Sequence, residues 1–260
     1  MVRIGWCWLA IALLWLSQTD AAWAEALSQR LSHFPDWLHA PSLPAATDDL
    51  VYPDWFAGTW TVTSTLIEQF APLAPEVVVP GFEQSRDRRH QPLQFPVRFR
   101  HRAIVRANGL PQLQRQIPVV ADREFNTRAI VAATIGEAAL QSIVSEPDRP
   151  NQQVIALTDG SEWRLQITGR DRAQPDPDHF LVSELNQQIF RSPRRIYSNQ
   201  VEIITDYQRV TADRLRADQV TATYLSPQDP DYFRAGDRPV ALYRYRLELV
   251  PLRGILSSEF

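Results

Sequence analysis

The stretch that decides the fold is Tyr52-Pro53-Asp54-Trp55-Phe56-Ala57-Gly58-Thr59-Trp60. A Pro-Asp turn with aromatic residues leads to a glycine, and Trp60 then stands at the start of an apolar-rich run, 59–70, that predicts a strand. Glycine allows a sharp bend where the strand begins. We therefore expect Gly58 and Trp60 to be structural residues at the start of the first strand.

Outward from this stretch, most of the chain is typical of strands. A single helix is predicted at 127–144, with Asn126 or Thr127 as its N-cap, because the segment is rich in alanine. About eight strands at irregular spacing favour one antiparallel β-barrel over a doubly wound sheet. The predicted strands are 59–70, 97–107, 153–157, 162–168, 180–191, 200–210, 219–225 and 240–250.

The N-terminus is typical of an export signal. Arg3 precedes an apolar run at 4–16, and Ala22-Trp23-Ala24 fits a small-x-small cleavage site. We divide the chain into a signal peptide (1–24), a proline-containing N-terminal tether (25–50) and a barrel domain (51–260). The single cysteine, Cys7, lies in the signal peptide, so the exported protein has no disulfide and its core must hold the fold unaided.

Composition excludes several classes of function. The chain has 260 residues, a net charge of −3 and a pI near 6.0, so no general positive field attracts nucleic acid. All 27 basic residues are arginines, which excludes a Schiff-base lysine and a phosphate-loop lysine. The five histidines are scattered without ligand spacing, and no nucleotide or redox motif is present. We expect no catalytic residue, no metal site and no cofactor.

Aromatic residues on the predicted strands supply a candidate ligand pocket. Alternation along 95–105 places Phe99 and His101 on the apolar face of one strand. The same rings would equally well fill the barrel, since an eight-stranded barrel is just wide enough for side chains to occupy it. The candidate pocket residues are Phe99, His101, Trp163, Tyr207, Tyr243 and Tyr245.

Charged residues on the strands suggest two further sites. Arg98, Arg100 and Arg102 share the other face of their strand and form a candidate contact for an anion or a partner; the alternative is a solvated face. Glu184 and Asp206 lie on two different strands, and they would form a general acid/base pair if both faced one cavity.

Three motifs resemble those of lipocalins. Gly58-Thr59-Trp60 resembles the first-strand motif of that family, and Thr205-Asp206-Tyr207 resembles its second motif, which sits on a turn between late strands. Arg244 or Arg246 resembles the arginine that packs across the floor tryptophan. The resemblance implies a lipocalin/calycin-like barrel in which Gly58 lets the chain bend into the floor, the Trp60 indole plugs the closed end and these two arginines lie at the floor.

The whole chain also resembles a family of uncharacterised proteins exported to the thylakoid lumen of cyanobacteria and chloroplasts. The signal peptide, the aromatic entry to Trp60, Asn151 and the segments Ser183-Glu184 and Phe190-Arg191 carry this resemblance. It implies an exported protein of the thylakoid lumen or the periplasm, and it implies no activity.

Three hypotheses about function follow. The first is a protein that binds an apolar or amphipathic small molecule, such as a pigment or a lipid-derived compound, in the barrel. The second is an accessory or assembly factor that docks on a thylakoid membrane protein complex, which predicts an exposed apolar patch near residues 25–56. The third is a lumenal enzyme that uses Glu184 and Asp206.

Overall fold

The computed structural model describes residues 24–79, 81–102, 117–146, 149–193 and 195–252. Apart from Ala24, the predicted signal peptide lies outside these residues, as does the end of the predicted strand 97–107. The helices are α1 (24–32), α2 (Phe82–Arg86), α3 (Arg123–Ile135) and α4 (Tyr232–Ala235). The strands are β1 (Gly58–Phe70), β2 (Pro92–His101), β3 (Val119–Ala121), β4 (Leu140–Val144), β5 (Gln152–Leu157), β6 (Glu162–Asp176), β7 (His179–Arg191), β8 (Ile196–Thr211), β9 (Arg214–Leu225) and β10 (Ala241–Pro251).

All ten strands of the described residues belong to one antiparallel sheet in the order β3-β2-β1-β10-β9-β8-β7-β6-β5-β4. The prediction of a mostly antiparallel β fold is confirmed, and the count of about eight strands is too low. The two missed strands are β3, which has only three residues, and β4, which lies inside the predicted helix.

The predicted helix 127–144 is misplaced. Helix α3 begins earlier, because the Asp122 carboxylate rather than Asn126 or Thr127 caps it by accepting a hydrogen bond from the Phe125 amide. It ends at Gly136, whose φ of 92° suits glycine and stops the helix. Beyond it the chain forms a short 3-10 helix, Glu137–Ala139, and then β4.

The sheet is curled into a half-barrel. Residues 45–52 cross from one part of it to another, since Ala45 pairs with Gly169 on β6 and Tyr52 pairs with Val119 on β3. In a flat sheet these strands would stand seven spacings apart, roughly 34 Å, whereas seven residues reach at most about 25 Å. The sheet must therefore bend around the crossing segment.

The concave face of the half-barrel carries the main core. Trp60 is buried there and its indole nitrogen donates a hydrogen bond to the Phe56 carbonyl oxygen at 2.8 Å. Helix α3 contacts both β2 and β4, which lie near opposite edges of the sheet. The buried members of this core are Leu50, Phe56, Trp60, Val62, Val97, Phe99, Val119, Ala121, Phe180, Val182, Leu215, Ala217, Leu247 and Leu249.

The convex face is covered by the segment predicted to be a tether. Leu27 and Leu31 of α1, one helical turn apart, pack with Trp37 against Leu181 and Ile204 of the sheet. Residues 24–40 therefore lie on the sheet, because their apolar side chains match an apolar strip on its outer side. Within the described residues, no helix has the length and hydrophobicity needed to span a membrane.

Candidate functional site: cavities of the concave face

A cavity of about 210 Å³ lies between α3 and the concave face of the sheet. We call it the helix-side cavity. Residues of α3 such as Ile130 form one wall, and inward-facing residues of β1, β2, β8, β9 and β10 form the other. Its lining consists of Tyr52, Val62, Ser64, Phe95, Val97, Phe99, Ala121, Asn126, Ile130, Tyr207, Gln219, Leu247 and Leu249.

A cluster of aromatic rings forms one end of the helix-side cavity. The Tyr52 ring lies 4.9 Å from that of Phe56 and 4.8 Å from that of Phe99, in both cases edge to face. Phe56 also meets Tyr207 edge to face at 5.0 Å, and Phe180 lies 5.6 Å from Tyr52. Such edge-to-face contacts are favourable geometries, so the cluster forms a rigid wall.

Two phenol groups give this apolar cavity a polar side. Burial raises the pKa of Tyr207 to about 12 and raises the pKa of Tyr52 well above its ordinary value, with Tyr207 and Glu184 adding to the shift. Both phenols stay neutral at physiological pH. They can therefore exchange hydrogen bonds with a ligand but cannot pair with a cation as phenolates.

A network of charged residues lies beside Tyr52. The carboxylate of Asp49 accepts hydrogen bonds from Arg102 at 2.6 Å and from Arg123 at 3.1 Å. The Glu184 carboxylate lies 3.6 Å from Arg123 and 2.7 Å from Arg170. We call Asp49, Arg102, Arg123, Arg170 and Glu184 the rim network. It ties the crossing segment to the residue that follows β2, and to α3, β6 and β7.

The structure brings together only part of the predicted pocket. Phe99 and Tyr207 line the helix-side cavity, and Tyr245 packs against the same core. His101 is exposed at the end of β2, where its Nδ1 lies 2.8 Å from the Ile117 carbonyl oxygen. Tyr243 packs against Phe82 of α2, with ring centres 5.8 Å apart.

The sixth predicted pocket residue, Trp163, lines a second cavity of about 250 Å³ formed by β6, β7 and β8. We call it the open-edge cavity; its lining consists of Trp163, Leu165, Gln188, Ile189, Phe190, Tyr197 and Asn199. Three of its polar atoms are shielded from solvent and have no partner within the described part of the chain: Trp163 Nε1, Tyr197 Oη and Asn199 Oδ1. Each such atom costs about 1–3 kcal/mol of folding free energy.

The predicted anion contact of Arg98, Arg100 and Arg102 is already occupied by carboxylates of the chain itself. Arg98 lies 2.6 Å and Arg100 3.5 Å from Asp122, and Arg102 binds Asp49. Both carboxylates are almost completely buried, so they require these charged partners. The arginines hold the start of α3 and the crossing segment in place.

The lipocalin-type floor does not form as predicted. Arg244 forms a two-pronged ion pair with Asp218 and lies over the Phe34 ring at 5.4 Å, on the convex face and away from Trp60. Arg246 follows two residues later on the same strand and shares that face. The segment Thr205-Asp206-Tyr207 lies within β8 and not on a turn.

Glu184 and Asp206 do not face one cavity. Glu184 lies on the concave side with Phe180 and Val182, whereas Asp206 alternates with Tyr207 and lies on the convex side with Ile204. The Asp206 carboxylate is 2.5 Å from His179 Nε2, and burial raises the pKa of Asp206 although His179 opposes the shift. The structure therefore provides no acid/base pair from these two residues.

A larger groove, about 580 Å³, lies on the convex face beside Asp206 and Arg244. Of its charged lining residues, Arg244 and Asp218 pair with each other, whereas Asp206 and Glu248 bind His179 and Arg214 outside the groove. No cluster of three or more metal-binding side chains occurs within the described ranges. The groove is lined mainly by charged side chains, whereas neither cavity of the concave face has a charged lining residue, so the concave face is the better candidate site for an apolar or amphipathic ligand.

Sequence reasoning missed Ser64, Gln219, Tyr197 and Asn199. Period-two alternation from Tyr207 along β8 places Tyr197 and Asn199 on the same face, so the pattern contained this information. The alternation pattern does not give the register between strands, and the register decides which residues on neighbouring strands lie side by side.

Comparison with known proteins gives a family but no activity. A family model described as a domain of unknown function, DUF6816, matches residues 44–253. No curated protein and no solved structure matches the chain. The matched segment includes all ten strands and both cavities.

Proposed function

The chain belongs to the DUF6816 family, and we propose that it is an exported binding protein for a small apolar or amphipathic molecule held in the helix-side cavity. The observation that carries the proposal is an apolar cavity with two neutral phenols in its wall, set between a sheet and a helix. Ligand sites are commonly apolar clefts with a few placed polar groups.

The size and polarity of the helix-side cavity define the ligand class. A volume of 210 Å³ equals that of about seven water molecules in the liquid, so a whole large pigment does not fit, and a small molecule or one ring of a larger one does. The lining contains no charged side chain. Such a ligand is neutral and carries one or two groups able to hydrogen-bond Tyr52 and Tyr207.

Helix α3 closes the open side of the half-barrel. In this proposal the half-barrel functions as a calycin-like barrel in which α3 fills the gap between the edge strands β3 and β4. The contacts of α3 with β2 and β4 support this role. The rim network supports it further, since Arg123 of α3 binds both Asp49 and Glu184.

Export places the protein in the thylakoid lumen or the periplasm. The arginine, apolar run and small-residue cleavage site of residues 1–24 support this location. A pigment or lipid-derived compound is the kind of amphipathic molecule available beside such a membrane.

The two alternative functions have weaker support. Docking on a membrane complex through residues 25–56 requires exposed apolar groups. Leu27, Leu31, Trp37 and Leu50 are buried, and Leu38 is the one large apolar residue of this segment that is exposed. The enzyme hypothesis requires Glu184 and Asp206 in one cavity, and they lie on opposite faces of the sheet.

Retention of a ligand tests the proposal. The exported protein is incubated with a thylakoid lipid and pigment extract, purified again by gel filtration, and its organic extract is analysed by mass spectrometry. We expect one compound near equimolar ratio. Because Ser64 lines the helix-side cavity, Ser64→Phe fills it and should reduce retention at least tenfold.

The matched control is Trp163→Phe, which alters the open-edge cavity and should leave retention unchanged. Circular dichroism and the melting temperature establish that both variants fold. If nothing is retained, or if Ser64→Phe retains as much as the parent protein, the helix-side cavity is not the binding site.

A further inference from the structure

The open-edge cavity is built from two rows of residues that run across three strands. In the first row Trp163 of β6 pairs with Phe190 of β7, which pairs with Tyr197 of β8. In the second row Leu165, Gln188 and Asn199 occupy the next positions on the same strands. Three aromatic rings therefore lie beside an amide-bearing row.

The unpartnered atoms of this cavity have complementary hydrogen-bonding roles. The indole nitrogen of Trp163 only donates, the amide oxygen of Asn199 only accepts, and the hydroxyl of Tyr197 does both. Burial raises the pKa of Tyr197 although the neighbouring Asn199 side chain opposes the shift, so the hydroxyl stays protonated at physiological pH. Three such atoms at one cavity are unusual, because buried polar side chains are normally paired.

None of the seven lining residues carries a charge. A charged ligand would therefore lose its hydration without gaining an ionic partner. A purely apolar ligand would fill the cavity but leave all three polar atoms unsatisfied. The lining favours a neutral molecule that both donates and accepts hydrogen bonds and also presents an apolar surface to the rings.

We propose that the open-edge cavity binds a neutral polyhydroxylated ring, the chemistry of a monosaccharide unit. Each hydroxyl donates and accepts, so neighbouring hydroxyls can meet the Trp163 donor and the Asn199 acceptor. The C–H face of such a ring packs against aromatic side chains such as Phe190. A volume of about 250 Å³ accommodates one ring.

Binding requires a local rearrangement. Trp163, Tyr197 and Asn199 are partly exposed as residues, while their unpartnered atoms are turned away from solvent. These side chains must rotate toward the cavity when the ring enters. The new hydrogen bonds replace only the interaction between the Tyr197 and Asn199 side chains, in which neither Tyr197 Oη nor Asn199 Oδ1 makes a hydrogen bond of good geometry.

This site is independent of the helix-side cavity. The two cavities share no lining residue, and Trp163 packs with the β4–β5 core of Ile143, Ile155 and Leu157, a different core from that of Trp60. A protein that fails to retain an amphipathic ligand can therefore still bind a sugar, and a protein that binds no sugar can still retain an amphipathic ligand.

Ligand-observed NMR tests the proposal with D-glucose, D-galactose, D-mannose and myo-inositol, and with cyclohexane-methanol as a ring that has a single hydroxyl. We expect at least one polyhydroxylated probe to bind with a Kd below about 10 mM and at least tenfold more tightly than cyclohexane-methanol. Asn199→Leu and Trp163→Phe should each weaken that binding at least fivefold. Ser64→Ala, in the other cavity, should leave it unchanged.

Binding of cyclohexane-methanol alone, or of none of the probes, would overturn the proposal. A second measurement guards against variants that fail to fold: Tyr197→Phe removes an unpartnered hydroxyl and keeps the ring. Its melting temperature should equal or exceed that of the parent protein, while sugar binding falls. A clear loss of melting temperature would mean that the hydroxyl already has a structural partner, and the proposal would lose one of its three groups.

Discussion

Single residues on the concave face combine burial with polarity. Tyr52 and Tyr207 face the helix-side cavity, and burial raises the pKa of both phenols. A buried phenol holds its proton because the charged phenolate would lose its hydration. This makes the two groups hydrogen-bonding partners for a neutral ligand, and it also makes the folded state sensitive to alkaline pH.

Tyr207→Phe should reduce this alkaline sensitivity. The unfolded chain releases the Tyr207 proton near pH 10, whereas the folded pKa is about 12. The folded state thus holds more protons between these values, and its stability falls as pH rises. Between pH 7 and pH 11, Tyr207 should lower the free energy of unfolding by about 1 kcal/mol. The Tyr207→Phe variant should not show this part of the decrease. Urea unfolding at both pH values measures it; equal losses in the two proteins would show that Tyr207 ionises freely in the fold.

At the scale of elements, one ion pair attaches helix α1 to the convex face. Arg30 donates to both oxygens of the Glu202 carboxylate at 2.7 Å, and Tyr224 donates to the same carboxylate at 2.9 Å. The Glu202 side chain is completely buried, while Arg30 remains 22% exposed and lies over the Trp37 ring. The Glu202 carboxylate of β8 therefore has its charged partner only when α1 is in place.

Arg30→Ala should destabilise the protein by about 3 kcal/mol, because it leaves Glu202 buried without its charged partner. Replacing both residues, as in Arg30→Met with Glu202→Leu, should recover most of the loss, since an apolar pair of similar size needs no charge. Urea denaturation measures both effects. A loss below about 1 kcal/mol for Arg30→Ala would indicate that water replaces the guanidinium and that α1 is not held by this pair.

At the scale of the whole molecule, the crossing segment holds the curl of the sheet. Residues 45–52 join β6 to β3, and the rim network binds Asp49 of this segment to Arg102 and Arg123. The approach is close at Gly169, where a Cβ atom would lie 3.0 Å from the Cβ of Leu43. The position needs glycine for space and not for its backbone angles.

Gly169→Val should therefore lower stability by about 1–3 kcal/mol, as overpacking does in a tight contact. Adding Leu43→Ala removes the opposing side chain and should restore part of the loss. Gly169→Ala should fall between the parent and Gly169→Val. Thermal unfolding of the four proteins measures the series. Identical melting temperatures would mean that the crossing segment lifts away at no cost.

Much of the strand pattern was predictable from local signals. The alternation of β1 and β2, the Asp159-Gly160 turn between β5 and β6, and the long runs of β7 to β10 follow from period-two hydrophobicity and turn chemistry. Strand β3 was missed because three residues give too short a period. The boundaries of α3 were missed because Asp122 and Gly136 outweighed the alanine-rich composition.

The candidate site was less predictable, because its parts are far apart in the sequence. Phe99 and Tyr207 were chosen for their aromatic character, and the same criterion selected Tyr243, which packs on α2 instead. Two carboxylates neutralise the arginines at and just after β2: Asp49 comes from the crossing segment and Asp122 from the N-cap of α3. No local sequence pattern predicts such partners.

By itself, the sequence determined an antiparallel β fold around Trp60, because side-chain alternation and turn residues act over a few positions. Tertiary structure alone decided the curl, the packing of α1 on the convex face and the separation of Glu184 from Asp206. It also decided that Trp163, Tyr197 and Asn199 meet at one cavity. The physical reason is that register and closure depend on contacts between distant segments, and a shift of one residue moves every side chain to the other face.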